Sequence, residues 1–144
     1  MGRVQRDPRG LSLNLSGEDG GPLRLLLIED SADDAELTTL ELADAGIEFH
    51  YVRVQDEHAL LRALDDFNPQ CVLSDLNLPG FSGEQALELV RTHAPRVPFV
   101  YVSDGWLDDL PAHRPGGLAP ADAQLPKSEL QLLPGLLAEL LQPR

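Results

Sequence analysis

A single cysteine, Cys71, leaves the 144-residue chain unable to form an internal disulfide. Its place inside an apolar run marks it as a small core residue rather than a nucleophile. Basic side chains are also scarce: eleven Lys plus Arg stand against twenty-four Asp plus Glu, a formal charge of −13. Such a surface repels phosphate backbones and anionic lipid, so neither nucleic acid nor a membrane is an expected partner. No uninterrupted apolar stretch reaches the roughly 18 residues that a bilayer requires. The opening "MGRVQRDPRG" has arginines but no apolar segment behind it, which excludes a secretory signal. A cytoplasmic location is the expectation.

What is there is enough for one folded unit. A chain of this length with 42% hydrophobic residues can bury one real core but not two. Residues 1–22, rich in Gly, Ser, Pro and Arg, lack periodicity and read as a flexible leader to a domain over 23–142. "LRLLLI" from Leu23 is nearly all apolar, as a strand covered on both faces should be. After it, Ser31 and Asp34 have capping-box spacing and open a helix that carries Leu37 and Leu40 toward one side and stops near Gly46.

The cycle then repeats. "EFHYVRV" is a second strand, and Asp56 caps a helix with Leu60, Leu64 and Phe67 on one face, broken at Asn68-Pro69. "CVLSD" is the third strand; Ser82 and Gln85 box the next helix; "FVYVS" is the fourth strand. From 104 to 122 the prolines at 111, 115 and 120 predict a shortened or irregular fourth helix. A short strand near "AQL" precedes "PKSELQLLPGLLAELL", where Ser128 and Gln131 make a third box and Leu130, Leu133, Leu137 and Leu140 a core stripe. Pro134 should kink that helix or shift its start. Leu132 and Leu136 fall outside the stripe, either as wide packing or as a surface for a partner.

Strands alternating with helices of this length predict an α/β fold with a doubly wound, five-stranded parallel sheet. Ligands in such sheets bind beyond the carboxyl ends of the strands. Those ends carry Glu29 and Asp30, then Asp75 and Asn77, then Ser103, then Lys127. In the order 2-1-3-4-5 the first and third strands are neighbours, which gathers Glu29, Asp30 and Asp75. Three close carboxylates repel, and a hard divalent cation such as Mg²⁺, which prefers oxygen ligands and keeps exchangeable waters, relieves them. Lys127 adds a fixed positive charge and Ser103 a hydroxyl donor, the electrostatics of phosphoryl transfer with Asp75 as acceptor. Taken singly, Asp30 could be a helix N-terminal acid, Asp75 a solvated strand end and Lys127 a surface charge. Their joint occurrence at four strand tips argues otherwise.

"LRLLLIEDSADDAEL", "CVLSDLNLPGFSG", "FVYVSD" and "LPKSEL", in that order, resemble the receiver domain of two-component response regulators. The resemblance implies a flavodoxin-like fold with Asp75 as phosphoacceptor. Glu29, Asp30, Asp75 and the backbone carbonyl of Asn77 would serve Mg²⁺, Ser103 would be the hydroxyl switch, and Lys127 would contact phosphate. Pro79 and Gly83 would shape the loop after the acceptor, Gly83 lacking a side chain where the helix packs close. It also implies a phosphorelay, with a histidine kinase or histidine phosphotransfer protein as donor and no enzymatic activity beyond the chain's own phosphorylation and dephosphorylation.

Four features depart from the family pattern. Gln124 stands where Tyr or Phe is usual three residues before the lysine, so the aromatic–hydroxyl relay cannot run in its usual form. Ser128 replaces the common Pro, Asp104 replaces a small residue, and the irregular stretch 106–122 replaces the helix of the usual output face. Trp106 either stands in for the missing ring or anchors a loop. The expected readout therefore runs through the first or last helix, to an effector or a second copy. With no output domain after Arg144, either a stand-alone receiver or part of a larger protein is expected. Two other readings stand beside this one. The chain could be a non-phosphorylated docking or dimerisation module. Or it could be an aspartyl-nucleophile Mg²⁺ phosphohydrolase, since "DLN" resembles the Asp-x-Asp of haloacid-dehalogenase-like phosphatases, which carry it on the first strand.

Overall fold

The computed structural model describes residues 21–76, 78, 80–103 and 121–141. The expectations for the leader before residue 21, Asn77, Pro79, Asp104, Trp106 and the irregular fourth helix lie outside those residues. Five strands, β1 (Leu23–Ile28), β2 (Phe49–Val54), β3 (Cys71–Ser74), β4 (Phe99–Ser103) and β5 (Ala123–Pro126), form one sheet. Its order is β2-β1-β3-β4-β5 and every pairing is parallel, as expected. The helices are α1 (Ala32–Asp44), α2 (Glu57–Asp66), α3 (Gly83–His93) and α4 (Leu133–Leu140).

Alternation along each strand divides the core in two. Leu23, Leu25 and Leu27 of β1, with Cys71 and Leu73 of β3, face α1 and α4, where Ala35, Leu42, Leu133 and Leu137 close over them. Leu26 and Ile28, with Val72 and Phe99, face α2 and α3, packing on Leu60, Ala86, Leu87 and Val90. A central strand buried on both faces needs apolar residues at every position, and β1 has them at all but Arg24. Each fully buried leucine contributes about 2 kcal/mol of transfer free energy, so β1 alone anchors both layers.

Local signals set most of the ends. The Ser82 hydroxyl accepts from Gln85 N–H and the Gln85 side chain accepts from Ser82 N–H, a complete capping box for α3. Asp56 caps α2 through Ala59 N–H, and α1 ends before Gly46, whose φ of 82° suits a residue without Cβ.

Three expectations need correction. α1 buries Ala35, Thr38 and Leu42, whereas Leu37 and Leu40 are 53% and 50% exposed. A heptad interval from Ala35 to Leu42 defines the buried stripe, and Leu37 and Leu40 lie across the helix from it. The box at Ser128 and Gln131 does not form. Residues Lys127–Leu132 run as a 3-10 turn without a side-chain cap, and α4 begins with Pro134 in its first turn. Proline lacks the N–H that a helix interior needs but loses nothing in the first turn, so it moves the start of the helix past the serine. At Ser31 only half of the box exists: its hydroxyl accepts from Asp34 N–H, but its own N–H goes elsewhere.

Candidate functional site

Parallel register brings the strand tips together. Ile28 pairs with Ser74, so the next residues, Glu29 and Asp75, emerge side by side; Asp75 N–H donates to Ile28 O at 2.9 Å. Ser103 pairs with Pro126, which places Lys127 one residue beyond the tip of β4. Glu29, Asp75 and Ser103 are buried at these ends, while Asp30 is exposed at the rim. One carboxylate oxygen from each of Glu29, Asp30 and Asp75 lies within 4.8 Å of the others.

Among the described residues, two side-chain donors converge on the Asp75 carboxylate. Ser103 Oγ donates to Oδ1 at 2.8 Å and Lys127 Nζ to Oδ2 at 3.1 Å. The ammonium also meets Glu29 Oε1 at 2.9 Å and Asp34 Oδ2 at 2.6 Å. Lys127 is the only lysine in the chain. Burial pulls its pKa down, but hydrogen bonds to Asp34, Glu29 and Asp75 outweigh that, and the net shift is upward; the group is cationic at neutral pH. Burial raises the pKa of Glu29, and the charge of Asp75 adds to the rise. Lys127 and the Ser31 N–H oppose it without cancelling it. Three carboxylates share one ammonium and Asp30 stands beside them, which leaves the pocket with excess negative charge.

The loop after Asp75 is held by glycine. Gly83 N–H donates to Leu76 O at 2.9 Å, and a Cβ at Gly83 would sit 2.7 Å from Asp75 O and 2.9 Å from Leu76 Cα. The close approach expected there is present. Cys71 is fully buried and its thiol is pushed up to about 12, mainly by burial, so it is a core residue and no nucleophile. Gln124, in the place of the usual ring, is exposed on β5.

Asp34 was not among the candidate site residues. Its spacing from Ser31 is that of a capping box, yet Ser31 N–H donates to Glu29 Oε2 at 3.2 Å instead. The Asp34 carboxylate is thereby released to reach Lys127, 93 residues away in the chain. The acid-rich run "EDSADD" is the only trace of this in the sequence.

The response regulator receiver domain family matches residues 25–112. The chain belongs to that family. Such domains are signalling modules rather than classical enzymes and bind Mg²⁺ at an acidic site. Lys127 lies beyond the matched stretch and is placed by the fold. Response regulator protein FleR of Pseudomonas aeruginosa is 35% identical over 80 residues, covering 56% of this chain and 16% of FleR. An uncharacterized 76.5 kDa protein of Thiocystis violacea is 33% identical over 82 residues, covering 56% of this chain and 12% of that protein. The chain thus spans about a sixth or less of the length of these relatives. Among solved structures, the CheY-like receiver domain from Methylobacillus flagellatus is 26% identical with a TM-score of 0.67, over 83% of this chain and 99% of that one. The receiver domain of sensor histidine kinase PA1611 from Pseudomonas aeruginosa shares the fold at 20% identity and a TM-score of 0.62, over 83% and 99% of the two chains; that protein carries a magnesium ion in its active-site cleft. No helix among the described residues is long and apolar enough to cross a membrane.

Proposed function

We propose that the receiver domain, residues 23–142 behind a leader of 1–22, is a phosphoacceptor module of a phosphorelay. Asp75 takes its phosphoryl group from a phosphohistidine on a histidine kinase or histidine phosphotransfer protein. A carboxylate oxygen of Asp75 attacks phosphorus in line with the P–N bond. The O–P bond of an acyl phosphate forms as the P–N bond breaks, and the imidazole nitrogen leaves with the electron pair.

The observation that carries this reading is the convergence of an ammonium and a hydroxyl on one buried carboxylate, at 3.1 and 2.8 Å. Lys127 supplies a permanent positive charge for the phosphoryl oxygens. The Ser103 hydroxyl, free to rotate about Cβ–Oγ, can turn its hydrogen from the carboxylate to a phosphoryl oxygen, as a switch residue does. Glu29, Asp30 and Asp75 offer an all-oxygen donor set with excess negative charge, which fits Mg²⁺, with the Asn77 carbonyl as a further ligand. When bound, Mg²⁺ offsets charge on the phosphoryl oxygens. Half-exposed Leu37 and Leu40 on α1, and Leu132 before α4, support output through protein contact at the first or last helix.

Incubation with acetyl phosphate or phosphoramidate and Mg²⁺ tests the reading. Intact mass should rise by one phosphoryl group, and Asp75→Asn should abolish the gain. A chain that stays unmodified is instead the docking module, a reading favoured by the exposed Gln124 in the place of the switch ring. Sustained turnover of p-nitrophenyl phosphate would indicate the phosphohydrolase. The position of Asp75 after β3 rather than β1 opposes that outcome.

A further inference from the structure

We propose that Asp34 is a positioning residue for phosphoryl transfer: it occupies the third N–H of Lys127 in the resting chain and yields it to the incoming phosphoryl group. This rests on the phosphoacceptor reading and goes beyond it by assigning a role to a carboxylate on α1.

An ammonium has three N–H donors and no acceptor. Lys127 spends all three on carboxylates: Asp34 at 2.6 Å, Glu29 at 2.9 Å and Asp75 at 3.1 Å. A phosphoryl oxygen can reach that ammonium only by displacing one of them. Asp75 is itself the acceptor. Glu29 has a side chain only 9% exposed and is also tied to Ser31 N–H at 3.2 Å. Asp34 has a side chain 32% exposed, and among the described residues Lys127 is the one donor to its carboxylate. It is therefore the carboxylate of the three that water can best re-solvate once the ammonium lets it go, and the least costly to leave unpaired.

The local structure is arranged for that exchange. Because Glu29 takes the Ser31 N–H, the Asp34 carboxylate is not committed to capping its own helix. Asp34 sits in the first turn of α1, which packs on the same core as α4. Loss of the Asp34–Lys127 bond frees the start of α1 from the residue that follows β5. Phosphorylation is thereby felt on the α1 side of the sheet without an aromatic ring at Gln124.

The test uses the full chain and three variants: Asp34→Asn, Asp34→Glu as the conservative rescue, and Asp33→Asn, which removes the neighbouring first-turn acid. Phosphorylation by phosphoramidate should be about fivefold faster in Asp34→Asn, the factor that one screened ion pair represents. Asp34→Glu and Asp33→Asn should match the wild type. As a second readout, the single lysine gives one side-chain Nζ resonance. Asp34→Asn should move it in the unmodified chain, and beryllofluoride with Mg²⁺ should move it in the wild type together with the Asp34 and Ala35 amides. Phosphorylation at Asp75 with equal rates in Asp34→Asn and wild type, or an Nζ signal indifferent to Asp34→Asn, overturns this inference alone. Failure of the wild-type chain to accept phosphate overturns the phosphoacceptor reading and this inference with it.

Discussion

Replacing Lys127 by Met removes the ammonium from a pocket of four acids while keeping the length of the apolar stem. The ammonium holds its three carboxylates at 2.6, 2.9 and 3.1 Å, and two of these, on Glu29 and Asp75, are nearly buried. Removing one partner of a buried ionic cluster leaves uncompensated charge and destabilises by about 3–5 kcal/mol. The lower end applies because Asp34 is partly solvated. A loss of about 3 kcal/mol corresponds to a melting temperature roughly 12 °C lower for a domain of this size.

The pH dependence separates this cause from a packing defect. Glu29 already has a raised pKa, and without the ammonium nothing but the Ser31 N–H resists a further rise. A carboxyl whose folded pKa lies above its unfolded value binds protons more readily when folded. Its penalty is therefore present at neutral pH and fades as pH falls toward the ordinary glutamate value of 4.5. Lys127, with its pKa raised, stabilises the wild type throughout that range, and that contribution is lost only as pH rises through its folded pKa. Urea unfolding of both proteins in EDTA at pH 7.5, 6.5 and 5.5 should show the gap between them narrowing on acidification, by at most about 1.4 kcal/mol per pH unit for each extra proton bound. A gap that stays constant, or widens, refutes the electrostatic account.

Gly83→Ala should destabilise by about 1–3 kcal/mol and slow phosphorylation, because the backbone of Asp75 and Leu76 that its Cβ meets cannot yield as a flexible side chain can. Chemical denaturation with a parallel phosphorylation time course measures both effects, and an unperturbed variant would mean that α3 does not press on the acceptor loop. Mg²⁺ at about a hundred times its Kd should add about 2.7 kcal/mol of stability, seen as a rise in melting temperature that NaCl at equal ionic strength does not reproduce. The rise should shrink in Asp30→Asn, whose carboxylate belongs to the cluster; an equal rise in both proteins would place the ion elsewhere.

The sheet and its order were legible because β1 is apolar at nearly every position and β1, β2 and β3 are each followed by a helix with its own start signal. Ser82 with Gln85 and Asp56 act through bonds three residues apart, within reach of a local reading. The strand-tip residues were legible for the same reason: parallel topology carries Glu29, Asp75, Ser103 and Lys127 to one edge whatever the details of packing. Asp34 was not legible, since its partner is chosen by tertiary geometry after Glu29 has taken the Ser31 N–H. The facing of α1 was misjudged because Leu37 and Leu40 are the larger side chains, whereas the sheet accepts the smaller Ala35 and Thr38. The box at Ser128 lost to Pro134, whose demand on the first turn of α4 is stronger than one capping hydrogen bond.

An acyl phosphate, unlike a phosphate ester, is reduced by borohydride, which converts the aspartyl group to homoserine. Treatment of the chain with phosphoramidate and Mg²⁺, then borohydride, then peptide sequencing by mass spectrometry reads both the bond type and its position. Homoserine at residue 75 and at no other carboxylate is the predicted result. Aspartate retained at 75, with homoserine at Asp30 or Asp34 or hydroxynorvaline, the alcohol one carbon longer, at Glu29 in its stead, would contradict the account at its centre.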